Sequence, residues 1–242
     1  MMWAKGLPVV RVPQGEAPKH VTIVMPYYEN AAFFAQQVSG WLTFPAQLRA
    51  HLSAIVVDDG SPLPAAFPAE LPFPIRLFRI EEDVRWNWLA ARNIGMQYAN
   101  GWCVLTDMDH VLPEATARAL VYGQHAPAHV YGFIRLASTR EKLQPHSASF
   151  FLTKRMFWKV GGYDERLAGY YGTDGYFRRR VLLAAPVQIL AEPLVRHEYE
   201  LDSSTTRYQR KQPEDDALHA LAASLKGTPP QTLTYPYHEV TA

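Results

Sequence analysis

The pattern with the clearest chemical potential is Asp107-Met108-Asp109, which closes the short apolar run Trp102-Cys103-Val104-Leu105 after Thr106. Carboxylates on alternate residues, with carbonyls and water at hand, suit a hard divalent cation such as Mn²⁺ or Mg²⁺. A second acidic pair, Asp58-Asp59, ends the run Leu52 to Val57 in the same way and is followed by Gly60-Ser61. A third acid, Asp174, follows Gly172-Thr173 where a helix is expected to begin. In open α/β sheets ligands gather at the carboxyl ends of strands, which is where both pairs fall. Each acid alone also has a plain structural explanation. Asp is common after strands, and Thr173 as N-cap with Asp174 in the first turn would favour a helix with no chemistry at all.

The elements that would position these acids follow from the apolar periodicity. Val21 to Met25 is a buried strand stopped by Pro26, and Ala31 to Leu42 is a helix with Phe34, Val38 and Trp41/Leu42 on one side. Leu52 to Val57 and Ile75 to Ile80 are strands, Trp88 to Tyr98 is a helix, and Trp102 to Leu105 is the next strand. This alternation predicts an α/β fold, a Rossmann-like, mostly parallel sheet with helices on both faces. No G-x-G-x-x-G follows the first strand and no G-x-x-x-x-G-K-[ST] is present, so neither phosphate-cradling loop is expected. Later, a helix is expected from Pro113 to Tyr122, strands over Val130 to Leu136, Ser149 to Thr153 and Val187 to Leu190, and helices near Asp174 to Leu183 and Asp215 to Leu225. Met1 to Lys19 reads as a loose arm, and the residues beyond Asp202 as a polar tail ending in a Tyr-rich stretch.

Composition narrows the class. At 242 residues with 48% hydrophobic and 19% charged side chains, the chain is an ordinary globular protein able to bury a core without staples. A net charge of +1 argues against a polyanion-binding surface as its main business. The single cysteine, Cys103, lies inside an apolar strand and excludes a disulfide framework or a cysteine zinc site. No apolar run approaches the ~20 residues needed to span a bilayer, and no charged-then-apolar leader opens the chain, so a soluble, cytoplasmic protein is expected.

Taken together, several stretches resemble family-2-type glycosyltransferases of the GT-A fold. They are Val24-Met25-Pro26-Tyr27-Tyr28-Glu29-Asn30, Val57-Asp58-Asp59-Gly60-Ser61, Ala91-Arg92-Asn93-Ile94-Gly95 and Thr106-Asp107-Met108-Asp109. Gly161-Gly162-Tyr163-Asp164-Glu165 with Gly172-Thr173-Asp174 resembles the acceptor-side motif of the same group and the carboxyl-terminal segment of UDP-sugar galactosyltransferases. The match runs in the family's order from about Val21 to Glu198. It implies a single GT-A domain over 1–242, with a nucleotide-binding half at about 20–110, an acceptor-binding half at about 111–200 and a tail at 201–242.

The resemblance also implies roles. Pro26 and Tyr28 would border a uracil whose ring N–H Asp58 accepts, while Asp59 shapes the turn or holds the ribose or a neighbouring basic group. Arg92 would steady the nucleotide or the acidic cluster. Asp107 and Asp109 would bind Mn²⁺ or Mg²⁺, Asp109 directly and Asp107 nearer the ribose, with His197 as third ligand and His110 competing for that place. Asp174 would be the catalytic base of an inverting transfer. Thr173 stands where the family usually has Glu, so an acceptor contact assigned to that acid is not carried over. Trp158, Tyr170, Tyr171 and Thr173 are the acceptor-side candidates, with Trp86 and Trp88 also able to stack on a sugar. The expected activity is therefore inverting, metal-dependent transfer of a hexosyl or N-acetylhexosaminyl group from a nucleotide-sugar donor, expected to be UDP-linked, to an acceptor hydroxyl. The acceptor could be a glycan, a protein or a small molecule. A nucleic-acid acceptor stays open through Arg178 to Arg180 and Arg207 to Lys211. The competing readings are a sugar nucleotidyltransferase and a non-catalytic nucleotide- or carbohydrate-binding protein on the same scaffold.

Overall fold

A computed structural model describes residues 4–197 and 211–241. The first half runs β1 (Val9–Val10), β2 (Val21–Tyr27), α1 (Ala31–Leu42), α2 (Ala46–Arg49), β3 (Leu52–Asp58), β4 (Ile75–Ile80), α3 (Trp88–Tyr98) and β5 (Trp102–Leu105). The second half runs β6 (His110–Val111), α4 (Glu114–Tyr122), β7 (Val130–Ala137), β8 (Lys142–Leu143), β9 (Phe150–Thr153), α5 (Lys154–Lys159), a 3₁₀ turn (Glu165–Leu167), α6 (Asp174–Ala184), β10 (Val187–Arg196), α7 (Gln212–Ser224) and β11 (Tyr237–Val240).

One sheet carries the strands in the order β1-β10-β7-β9-β5-β2-β3-β4-β11, with β6 added to β10 and β8 to β7. At its centre β5, β2, β3 and β4 are all parallel, so their carboxyl ends share one edge. That edge is where Asp58-Asp59 and Asp107-Asp109 emerge. The period-2 geometry of a strand explains the two layers on either side. Val21, Ile23 and Met25 of β2 point into one core with α1, α2 and α4, while Val24 points into the other with α3, α5 and α6.

Four local differences from the sequence expectation have physical causes. Pro26 does not stop β2, which pairs through it to Tyr27. β5 has already ended its pairing at Val24–Leu105, so no ladder on that side needs the missing N–H. The amino-terminal arm supplies β1, held parallel against Ile189 and Leu190. The late strand extends through Pro193 to Arg196, because an irregularity between Leu190 and Leu194 lets it re-register on β7. Finally, the tail residues described belong to the fold: α7 sets Leu218 into the core, and β11 pairs antiparallel to β4. Of the arginine-rich stretch Arg207 to Lys211, only Lys211 lies within the described residues. Among those residues no helix is long and apolar enough to cross a membrane.

Candidate functional site

Two acidic clusters line the carboxyl edge of the sheet. At the end of β3, Asp58 is almost fully engaged. Its Oδ1 accepts from the Ser61 N–H at 2.8 Å, and its Oδ2 accepts from the Ala65 N–H at 2.8 Å and from Arg79 at 2.8 Å. Arg79 lies directly opposite Asp58 in the β3–β4 register. Asp58 thus shapes the turn, the part expected of Asp59. Asp59 is the buried carboxylate with an oxygen to spare: its backbone N–H goes to Tyr27 at 2.8 Å, and Oδ1 has no partner. Burial, with the charges of Asp58 and Asp83, raises its pKa well above the usual carboxylate range, against a hydrogen bond from the Asn87 backbone. The Asn87 side chain is fully buried with both amide atoms unpartnered.

Three loops meet over this group. Tyr28 donates to Asp83 at 3.2 Å, joining the loops after β2 and β4, and burial beside Asp83 pushes the phenol up to about 12. Gly60 has φ +74° and packs against the Glu82 and Asp83 backbone, where a Cβ would collide. Only glycine meets both demands there. Pro26 and Tyr28, both half-buried, border the same opening.

At the end of β5 the electrostatics run the other way. Arg92, fully buried on α3, donates to Asp107 at 2.5 Å, to the Tyr163 hydroxyl at 2.9 Å and to the Ala148 carbonyl. Asp109 bonds to His110 Nδ1 at 2.6 Å, with Arg196 at 3.8 Å from its other oxygen. Burial alone would raise the Asp109 carboxyl. The hydrogen bond to His110, with the His146 imidazole and the Arg196 guanidinium nearby, instead holds it down at about 2.

His146, on the loop between β8 and β9, belongs to the candidate site and was missed by sequence reasoning. Its ring stacks on His110 with centroids 4.2 Å apart, and its Nε2 lies 3.4 Å from Asp107. Its Nδ1 is held at 2.8 Å by Ser149, which contacts Thr106 at 3.2 Å. Burial and the neighbouring cations keep this imidazole neutral, with its pKa well below the usual histidine value. Nothing in the sequence near His146 signals the role, since only the antiparallel return of β9 along β5 brings the residue there. Asp107, His110 and His146 each offer a ligand atom within 4.8 Å of the others, a carboxylate-and-imidazole set of the kind that suits Mn²⁺ better than Mg²⁺. These donors fit a divalent cation. His197 lies beside them but not among them: its N–H bonds to the Asp109 carbonyl at 3.1 Å and its ring contacts Gln36 at 3.2 Å.

The segment Gly161 to Glu165 is tied to this cluster. Asn93 binds the Tyr163 backbone through both ends of its amide and reaches Glu165 at 2.8 Å. Tyr163 is buried, and its hydroxyl is pushed up to about 12, first by burial and further by Asp107 and Asp174, against the lowering effect of Arg92. That one phenol therefore lies in the fields of both Asp107 and Asp174. Asp174 opens α6 and accepts from Arg178 at 3.1 Å. Thr173 does not cap the helix: its backbone is already helical at φ −74°, ψ −12°, so the hydroxyl cannot turn back to the first-turn N–H groups. Its buried Oγ1 has no partner. Of the aromatics, Tyr171 meets Trp86 edge-on at 5.2 Å between the loops, whereas Trp158 packs on Phe157, Trp88 on Tyr163 and Tyr170 against the core.

No protein-family model matches the chain, and no curated protein sequence does. Solved structures do. S. aureus TarS 1–349 with UDP-GlcNAc superposes with a TM-score of 0.63 at 12% identity, over 86% of this chain and 67% of that one. The mannosyltransferase PcManGT from Pyrobaculum calidifontis, with GDP-Man and Mn²⁺, gives 0.56 at 16% identity, over 93% of this chain and 75% of that one. A second structure of S. aureus TarS 1–349 gives 0.55 at 14% identity, over 74% of this chain and 60% of that one. At these identities the likeness establishes the fold: the chain has the GT-A fold.

Proposed function

We propose that this protein transfers a sugar, with inversion, from a nucleoside-diphosphate sugar to an acceptor hydroxyl, and that a divalent cation is held at the end of β5. One observation carries the proposal: at the carboxyl edge of a GT-A sheet, Asp107, His110 and His146 bring a ligand atom each within 4.8 Å of one another, beside the buried Arg92 that holds Asp107. A transferase needs a cationic diphosphate site and a base on opposite sides of the anomeric carbon.

The roles follow from what each group has left to offer. Asp58 is engaged by the loop and Arg79, so Asp59, with Asn87 beside it, is the better partner for a base-ring N–H and its flanking carbonyl. Pro26 and Tyr28 would border the ring. Asp107, His110 and His146 would hold the cation, with Asp109 fixing the His110 tautomer and Arg92 fixing Asp107. A bound Mn²⁺ would supply Lewis-acid stabilisation of the diphosphate leaving group. Arg135, 3.5 Å from His110, and Arg196 add fixed positive charge beside it. Asp174 would take the acceptor proton as the hydroxyl attacks. Trp86 and Tyr171 offer aromatic edges at the mouth between donor and acceptor loops. TarS with UDP-GlcNAc and PcManGT with GDP-Man support a nucleotide-sugar donor, and UDP remains the favoured nucleotide here.

The test is nucleotide release from a panel of UDP- and GDP-sugars with Mn²⁺. Asp174→Asn should keep donor affinity and lose about 10²–10⁴-fold in turnover. Unchanged turnover would remove Asp174 from the mechanism. Donor binding with no turnover under any condition would favour a binding protein on the same scaffold.

A further inference from the structure

Helix α1 buries Phe33, Phe34, Gln37, Val38 and Trp41, and one member of that face differs in kind from the rest. The three-and-four spacing of an amphipathic helix calls for an apolar side chain at position 37. Gln37 is instead fully buried there, one turn from Phe34 and one turn from Trp41. Its Oε1 has no hydrogen-bond partner among the described residues. Burying an amide with one end unsatisfied costs free energy, so packing alone would favour leucine or methionine at this position.

The amide nitrogen accounts for the glutamine. Gln37 Nε2 donates to the Met108 carbonyl at 2.8 Å and to the His110 carbonyl at 2.9 Å, 71 and 73 residues further along the chain. These two carbonyls flank Asp109, in the turn that carries the candidate ligands Asp107 and His110. The other two carbonyls of the turn are held by backbone groups. The Asp109 carbonyl accepts from the His197 N–H at 3.1 Å, and the Asp107 carbonyl from the His110 N–H at 3.1 Å. Met108, 3% exposed, anchors the turn in the same core as Phe34, Val38 and Trp41. Among neutral side chains only a primary amide places two N–H groups on one atom, as bridging two carbonyls requires. A lysine or arginine could also reach two carbonyls, but would set a positive charge beside a cation site.

We infer that Gln37 is a positioning residue for the cation at the end of β5. It fixes the turn so that the ligand atoms of Asp107 and His110 stay within 4.8 Å of each other and of His146 before a cation arrives. Lone pairs held that close repel one another. A turn free to relax would let them separate, and binding would then have to reassemble the set. The inference rests on the proposed cation site and adds to it a residue from a distant element.

Mn²⁺ binding to the nucleotide-free protein, read by calorimetry, tests it. Gln37→Met keeps the reach of the side chain and removes both N–H groups, and Gln37→Leu does the same if methionine prevents folding. Each should weaken Mn²⁺ binding about 10–100-fold, the usual effect of losing a group that orients a ligand. Hydrogen exchange at the His110 and His197 amides should speed up in the same variants without any metal present. Val38→Ala, on the same buried face, should lower the thermal midpoint and leave Mn²⁺ affinity as in the wild type. Unchanged Mn²⁺ affinity in the Gln37 variants overturns the inference, whatever the exchange rates. So does an equal loss of affinity in Val38→Ala, which would assign the effect to helix packing. A wild-type chain that binds no Mn²⁺ removes the cation reading itself, and this inference with it.

Discussion

The acids at the end of β3 and those at the end of β5 look alike in sequence and end in opposite electrostatic states. Asp58-Asp59 gathers one partly exposed arginine, which goes to Asp58, and leaves Asp59 buried among Asp58 and Asp83 with its carboxyl pushed up. Asp107-Asp109 gathers buried Arg92, the stacked pair His110 and His146, and Arg196, so Asp109 is held at about 2. The lesson concerns what each end can bind. A carboxylate short of donors is poised to accept a neutral ring N–H. Carboxylates set in a field of imidazoles and guanidinium groups are poised for a cation and the phosphates it carries.

The largest way to break this contrast is to remove the arginines. Arg92→Met removes the fully buried donor shared by Asp107, Ala148 and Tyr163 and should cost about 3–5 kcal/mol in urea denaturation. Arg79→Met, at a position 22% exposed, should cost only about 2 kcal/mol, because Asp58 keeps its two loop N–H groups. Equal costs would mean that the two ends are not electrostatically distinct.

Next come the donors themselves. Asp107→Asn should weaken Mn²⁺-dependent nucleotide affinity about a hundredfold. His146→Ala, and Asp109→Asn acting through His110, should weaken it about 10–100-fold, read by calorimetry. His197→Ala should change it least. A dominant effect of Asp109 and His197 would restore the donor set that the sequence resemblance implies.

The pH dependences of the two ends should oppose each other. The folded pKa of Asp59 lies above its unfolded value, so its contribution to stability is fully present below about pH 4 and is lost as pH rises through the folded pKa. Asp59→Asn should accordingly raise the thermal midpoint more at pH 8 than at pH 4. Asp109 is shifted down, so its contribution is present above the unfolded pKa and lost as pH falls through about 2. Asp109→Asn should lower the midpoint at neutral pH, and that deficit should shrink on acidification. Parallel profiles would erase the distinction. The smallest expected effect is that of Tyr163→Phe, which keeps the ring stack on Phe177 and removes one hydrogen bond from Arg92. A loss of about 1 kcal/mol, with a severalfold rise in the Mn²⁺ concentration needed for half-maximal turnover, is expected.

Much of the scaffold was legible because it rests on local pattern. Helices α1 and α3 span Ala31–Leu42 and Trp88–Tyr98 as the apolar spacing predicts, and the apolar runs of β2, β3 and β5 are the parallel centre of the sheet. Long-range pairing was not legible. β11 is a short half-exposed segment with one apolar residue, Val240, that becomes a strand only against β4. The division of labour between Asp58 and Asp59 depends on Arg79, which meets Asp58 through strand register rather than sequence proximity. His146 depends on the return of β9 along β5. Thr173 looked like a helix cap because its residue type fits, and failed because cap geometry is set by ψ rather than by identity.

The most direct test is calorimetric titration of UDP into the wild-type chain with and without Mn²⁺, repeated on Asp107→Asn. The proposed function requires affinity that rises at least tenfold with Mn²⁺ in the wild type and loses that increment in Asp107→Asn, with the protein still folded. UDP affinity independent of Mn²⁺ and of Asp107 would contradict a cation-held diphosphate at the end of β5.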